Sequence, residues 1–492
     1  MSAAGRQGAL PGGVAAFAVF AASGAVLVLE ILGVRLLAPY VGLTLETYTT
    51  IIGAVLAGIA LGAAAGGRAA DAADPRRLLA LLLVAGGLLA LATVPLVRLC
   101  GELFEGSGQA SALAIALFAL LPPATVLSAV TPVVVKLQLG DLAASGTVVG
   151  RLSAWATAGA LAGTFCTGFV LVPLLPVRAT VIGLGALLVL GGLLAGVALR
   201  AFGGGALAAV AGGAVLLAAS GAAAGSRCTT ESAYYCAQVV ADPARPSGRL
   251  LILDDQRHSY VDLADPRHLE FAYTRWIGDA LDAMRPAGEP LDALFVGGGG
   301  FTLPRYLAAT RQGSRSRVLE VDPQLVDLVR EELGLRTGPD LSVRTGDARV
   351  TLRDEPSASA DVVVGDAFGS RTIPWHLATA EFVADVRRVL RPDGLYVLNV
   401  IDYGELRLLR AEAATLLRAF AGVALVAVPA GERPGGGNLV LIASERALPP
   451  AVAPSSRGAR TYDRAALTRL VAGADPLSDD DAPADQLISA ET

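Results

Sequence analysis

Between residues 293 and 366 the sequence sets glycines and carboxylates at the ends of short apolar runs, a pattern suited to holding a nucleoside and accepting a proton. ALFVGGGGF (Ala293 to Phe301) runs from an apolar strand into Gly297, Gly298, Gly299 and Gly300, ahead of a helix beginning near Leu303. Glycines at that point let the main chain approach a ligand and leave the helix N-terminus unobstructed. About twenty residues on, RVLEVDP puts Glu320 at the end of the next strand, where a carboxylate can hold both hydroxyls of a ribose. GDAR puts Asp347 at the end of a third strand, within reach of an adenine amino group, and VVVGDAFGS puts Asp366 at the end of a fourth. Open α/β sheets bind ligands beyond the carboxyl ends of their strands, so these features at successive strand ends describe one site.

Such a site requires an alternation of strand and helix. Strands are expected near 291–296, 317–321, 341–345, 361–365 and 395–401, and two more at 422–429 and 438–444 are joined by the turn-rich ERPGGGN. The fold class that follows is a Rossmann-like, doubly wound α/β sheet closed by an antiparallel pair. Ahead of it, β segments at 236–242, 249–254 and 258–263 make a small N-terminal β subdomain. An amphipathic helix from about Leu269 to Met284 then carries Tyr273, on a face where aromatics more often serve packing than chemistry.

The N-terminal half reads differently. The chain of 492 residues is 53% hydrophobic, and nearly all of its long apolar runs lie between residues 14 and 225. A bilayer core needs roughly 20 apolar residues per helix. By that measure about seven spans are expected, near 14–37, 48–67, 78–99, 110–138, 147–172, 178–199 and 204–224. The runs recur too often for a cleaved signal peptide. Gly159 and Gly163, four apart, would let two helices approach closely. In the first span, Arg35 is expected to reach for the interface and Glu30 to pair with another helix. The expected organisation is a multi-pass α-helical membrane domain at 1–226, an α/β domain at 227–447 and an acidic C-terminal tail at 448–492. A net charge of −5 without a Lys/Arg run argues against nucleic-acid binding.

FVGGGGFTLPRYLAA, RVLEVDP, GDAR and VVVGDAF, followed by TIPWHLATAEFVADVRRVLRPDGLYVLNV, resemble the core of spermidine synthase, and the whole chain resembles the membrane-fused members of that polyamine aminopropyltransferase family. The resemblance implies a class I S-adenosylmethionine-dependent transferase fold. It also implies a reaction in which decarboxylated S-adenosylmethionine, as co-substrate, gives an aminopropyl group to a small amine such as putrescine. Asp366 is then the base that takes the amine's proton, because an ammonium has no lone pair to attack with. Gly297, Gly298, Gly299, Glu320 and Asp347 bind the adenosyl co-substrate; Tyr273, His258 and Asp366 surround the acceptor. No metal is implied, and the three histidines, His258, His268 and His376, show no ligand spacing. The lipid bilayer is the other expected partner, in the cell membrane, and homo-oligomerisation is left open.

The sequence departs from the family pattern in three places. Gly300 stands where the family has an Asp that holds the donor's ammonium, Gly369 replaces a second Asp three residues after the base, and His258 replaces a Gln. Two other activities therefore stand beside aminopropyl transfer: a methyltransferase using S-adenosylmethionine with a different acceptor, and a ligand-sensing or transport protein whose Rossmann domain does not turn over. The run of acidic residues in PLSDDDAPADQL (Pro476 to Leu487) reads as a solvated tail. The side of the membrane is open from sequence. With a cytoplasmic N-terminus, Arg68, Arg76, Arg77, Lys136, Arg151 and Arg200 fall inside, which seven spans would couple to an outside C-terminal domain. A disulfide between Cys228 and Cys236 would agree with this, whereas adenosyl cofactors and polyamines are chiefly cytoplasmic.

Overall fold

The computed structural model describes residues 10–104, 109–140, 145–201, 204–223, 225–369, 373–448 and 458–488. The chain divides into two compact units, Met1–Cys236 and Ala237–Thr492.

Among its described residues the first unit contains seven helices long and apolar enough to cross a membrane: α1 (Gly12–Val41), α2 (Leu45–Ala72), α3 (Pro75–Leu103), α4 (Ala110–Gln138), α5 (Ser145–Leu174), α6 (Val177–Ala198) and α7 (Gly204–Ala223). The turn between α2 and α3 is set by local chemistry: the Asp74 carboxylate accepts from the N–H of Arg76, and Pro75 supplies a preset φ at the first helical position. Glycines bring the helices together. A Cβ on Gly62 would lie 2.0 Å from the Thr125 carbonyl oxygen, and one on Gly159 would lie 2.1 Å from that of Phe20. The expected role of Gly159 and Gly163 is thus met, since Gly163 faces the Gly24 main chain of α1. Arg35 reaches the end of the bundle, where it donates to the carbonyls of Tyr234 at 2.7 Å and Ser232 at 2.5 Å. No hydrogen bond joins Glu30 to another described residue.

Beyond α7, Cys228 and Cys236 form a disulfide with their Cα atoms 5.1 Å apart. Between them, Glu231 accepts from the N–H of Val177 at 2.8 Å, placing a carboxylate at the positive N-terminus of α6.

The second unit opens with antiparallel strands β1 (Cys236–Asp242), β2 (Arg245–Leu253) and β3 (Gln256–Asp262), then helix α8 (Ala272–Ala283). The main sheet follows with β4 (Asp292–Val296), α9 (Thr302–Thr310), β5 (Arg315–Glu320), α10 (Pro323–Glu332), β6 (Leu341–Thr345), β7 (Ala360–Gly365), α11 (Ala380–Val389), β8 (Leu390–Asp402), α12 (Arg407–Ala419), β9 (Gly422–Ala427), β10 (Gly437–Ser444) and β11 (Arg460–Tyr462). Its spatial order is β11-β9-β10-β8-β7-β4-β5-β6. β4 to β8 pair parallel; β10, β9 and β11 pair antiparallel. The strand order reverses at β4, which has β5 on one side and β7 on the other, so the crevice for a ligand lies beyond the ends of β4 and β7.

The segment after residue 457 differs from the solvated tail its composition suggests. β11 adds an eighth strand against β9, Leu477 is 2% exposed, and its carbonyl accepts from the N–H of Ala380 at 2.9 Å. Apolar Leu477 and Ala484 bury themselves and leave the aspartates between them on the outside. Residues 449–457 and 489–492 of the expected tail lie outside the described residues.

Candidate active site

The strand ends are locked into line by the main chain. The N–H of Gly297 donates to the carbonyl of Leu319, that of Asp366 to Val296, and that of Gly346 to Glu320, each at 2.9 Å. Glycine is required at 297, where φ is +95° and a Cβ would lie 2.4 Å from the Asp366 carbonyl oxygen. The first Gly-rich turn is thereby pressed against the end of β7.

Glu320 is buried beneath that turn. Its Oε2 accepts from the N–H groups of Gly298 at 2.7 Å and Gly299 at 3.4 Å, and its Oε1 from that of Asp322 at 3.0 Å. Burial raises its pKa, and the three main-chain donors pull against that rise.

Asp366 sits where β7 ends. Asn399, on the neighbouring β8, donates to its Oδ1 at 2.8 Å, and the hydroxyl of Tyr273, from α8, donates to its Oδ2 at 3.3 Å. Desolvation by the surrounding protein pushes the Asp366 pKa up to about 6, against the pull of both hydrogen bonds. Burial and the neighbouring carboxylate hold the Tyr273 phenol well above its ordinary value, so it is a neutral donor. The carboxylate is therefore poised to exchange a proton near neutral pH.

One cavity joins these groups. Ser259 and Tyr260 of β3, Glu270 just ahead of α8, Tyr273 and Thr274 in its first turn, Gly297, Gly298 and Asp366 all line it. The structure brings together Tyr273, Asp366 and the glycine turn, with Glu320 directly behind the turn. His258 is placed against Gly299: a Cβ there would lie 3.0 Å from the imidazole, and burial lowers the ring's pKa to about 4, leaving it neutral. Asp347 is not among the cavity-lining side chains. It caps the helical turn Ala348–Thr351 through the N–H of Arg349 and stands 3.3 Å from Nε2 of His376. Arg349 in turn pairs with Asp479 from the C-terminal segment, whose other oxygen accepts from Thr379 at 2.7 Å.

Four residues near these groups were given no role in the site from the sequence, His376 having been weighed only as a metal ligand. Asn399 had a faint signal, the only amide in the apolar strand YVLNVID. Ser259, Glu270 and His376 carried none in isolation. Ser259 explains the Gly300 departure in steric terms. Its Oγ accepts from the Gly300 N–H at 3.0 Å, and a Cβ on Gly300 would lie 2.9 Å from the Ser259 Cβ.

No family model matches the chain. A polyamine aminopropyltransferase from Vibrio vulnificus is 29% identical to it over 153 residues, which are 31% of this chain and 50% of the relative. The C-terminal unit is similar to spermidine synthases and polyamine aminopropyltransferases. A crystal structure of a probable spermidine synthase from Corynebacterium glutamicum is 29% identical, covers 50% of this chain and 94% of that one, and superposes with a TM-score of 0.47. An eEF1A lysine and N-terminal methyltransferase from Danio rerio is 28% identical over 130 residues, 25% of this chain and 19% of the relative. The chain thus spans half the length, or less, of these two curated relatives. The spermidine synthase-like unit has the Rossmann-like class I S-adenosylmethionine-dependent transferase fold, with a small β subdomain ahead of it, and the seven apolar helices precede it.

Proposed function

We propose that the protein is a multi-pass membrane transferase that moves an aminopropyl group from decarboxylated S-adenosylmethionine to a small amine. The observation that carries this reading is the Asp366 carboxylate, held by Tyr273 and Asn399 at the cavity shared with Gly297 and Gly298. Asp366 would accept the proton of the acceptor ammonium, freeing the nitrogen lone pair. That nitrogen then bonds to the methylene beside the sulfonium, the carbon–sulfur bond breaks, and its electron pair stays on sulfur as a neutral thioether. Tyr273 and Asn399 would keep the base oriented, Glu320 would hold the ribose, and Gly297 to Gly299 would admit the donor's backbone-facing edge. Asp347, with His376 beside it, would read the adenine.

A second reading, S-adenosylmethionine-dependent methyl transfer, is favoured by Gly300. With Ser259 packed over it, residue 300 itself supplies no carboxylate where the family holds the donor's ammonium. Incubating the purified full-length protein with an amine and either donor separates the two. An aminopropylated amine from the decarboxylated donor supports the first reading, and methylated product only from S-adenosylmethionine replaces it with the second. Donor binding without turnover would leave a sensing or transport role.

A further inference from the structure

The basic side chains of the helical unit divide between its two ends in a way the sequence leaves open. At one end Lys136 pairs with Asp71 at 2.7 Å, tying the end of α4 to the end of α2. Arg68, Arg77, Arg151 and Arg200 are exposed on the segments that end or begin at this same level. At the other end, the arginines are turned onto the chain that follows α7. Arg98 of α3 donates to the carbonyl of Gly225 at 3.3 Å, Arg178 of α6 donates to those of Gly221 and Ala222, and Arg35 of α1 holds Ser232 and Tyr234. Arg227 lies over the Tyr40 ring, 4.5 Å from its centre. The Arg178 bonds fix the end of α7 beside the start of α6, so α7 completes an odd number of crossings even though its glycines weaken it as a helix.

Three independent features then agree. Among the described residues, the most exposed arginines gather at the end away from the disulfide, as the cytoplasmic end of a membrane bundle requires. Seven crossings carry the chain to the opposite side. Cys228 and Cys236 are joined at that side, as thiols in an oxidising compartment are and cytoplasmic thiols rarely are. We propose that the chain from Cys228 onward, the spermidine synthase-like unit included, is delivered to the oxidising, non-cytoplasmic face of the membrane. A consequence follows for substrate supply, resting on the donor assignment proposed above. A sulfonium is a fixed cation with no neutral form to slip through hydrocarbon. Its donor must therefore reach this unit through a protein-mediated transport step, and its acceptors are molecules met on that face.

The test uses the full-length chain in cells. Arg336→Cys places a thiol at an exposed position of the second unit, and Ala73→Cys places one between α2 and α3; the unmodified chain controls for Cys100 and Cys166. A membrane-impermeant maleimide is expected to label Arg336→Cys on intact spheroplasts and Ala73→Cys only after permeabilisation. The reverse pattern overturns the proposal. After denaturation, a maleimide polymer is expected to add two more adducts with prior reduction than without, and equal addition would remove the disulfide on which the assignment leans. Release of the chain by alkaline carbonate would instead overturn the membrane reading itself. Correct labelling with no turnover of any sulfonium donor would overturn the transport clause alone.

Discussion

The Tyr273 hydroxyl donates to Oδ2 of Asp366 at 3.3 Å, joining a helix ahead of the main sheet to the end of its fourth strand. That bond and the Asn399 bond each favour the ionised carboxylate, while the desolvating cavity wall favours the acid, and the balance lies near pH 6.

Replacing the base tests that balance. Asp366→Asn is expected to lower turnover by about 10²- to 10⁴-fold, the usual contribution of a positioned base. Binding of the adenosyl ligand by calorimetry should survive, since Glu320 and the glycine turn are untouched. In the parent, turnover should fall as pH drops below about 6, because protonation of Asp366 removes the acceptor of the amine's proton.

Tyr273→Phe removes a donor that stabilises the carboxylate. The Asp366 pKa should rise further, and the acid limb of the rate profile should move to higher pH by up to about one unit. An unmoved limb would show that the hydroxyl acts only through packing.

Glu412 offers a stability prediction away from the site. It lies on α12, is 1% exposed, and neither carboxylate oxygen has a hydrogen-bond partner among the described residues; burial pushes its pKa up to about 8. A raised carboxyl pKa contributes stability that is complete below its unfolded value and is lost as pH rises towards the folded one. Glu412→Gln should therefore match the parent at pH 4 and exceed it at pH 8 by about 2–4 kcal/mol. Thermal unfolding of the detergent-solubilised protein at both pH values measures the difference.

Gly300→Asp restores the family's carboxylate but sets its Cβ against Ser259 and Val261. Overpacking of this kind costs about 1–3 kcal/mol. Adding Ser259→Gly removes the nearer clash and should recover part of that loss in the same unfolding assay. If the double variant also gains activity with the decarboxylated donor, the missing ammonium contact limits the parent.

Much of this arrangement was legible in the sequence because it is written locally. Gly297 to Gly299, Glu320 and Asp366 each close an apolar run, so strand periodicity alone placed them at strand ends. Span lengths did the same for the seven helices. What escaped depends on partners far along the chain. Asn399 reaches Asp366 across 33 residues, and Ser259 reaches Gly300 across 41. The segment carrying Leu477 was misleading for another reason: its acidic composition outweighed two apolar residues that anchor it. The cysteine spacing allowed a disulfide, but only the arrangement of the turn between Cys228 and Cys236 closes it.

The glycine contacts among the helices have a mechanical meaning. α1 meets α5 at Gly24, Gly159 and Gly163; α2 meets α4 at Gly58, Gly62 and Gly66; α3 meets α6 at Gly87, Gly185 and Gly192. At each of these places main chain touches main chain or a short side chain, so rotation of one helix about its axis drives the other's backbone. Six of the seven helices thus behave as three two-rod girders, and α7 hangs outside them. Any rocking that opened a path through the bundle would have to slide girder against girder, leaving each welded seam intact.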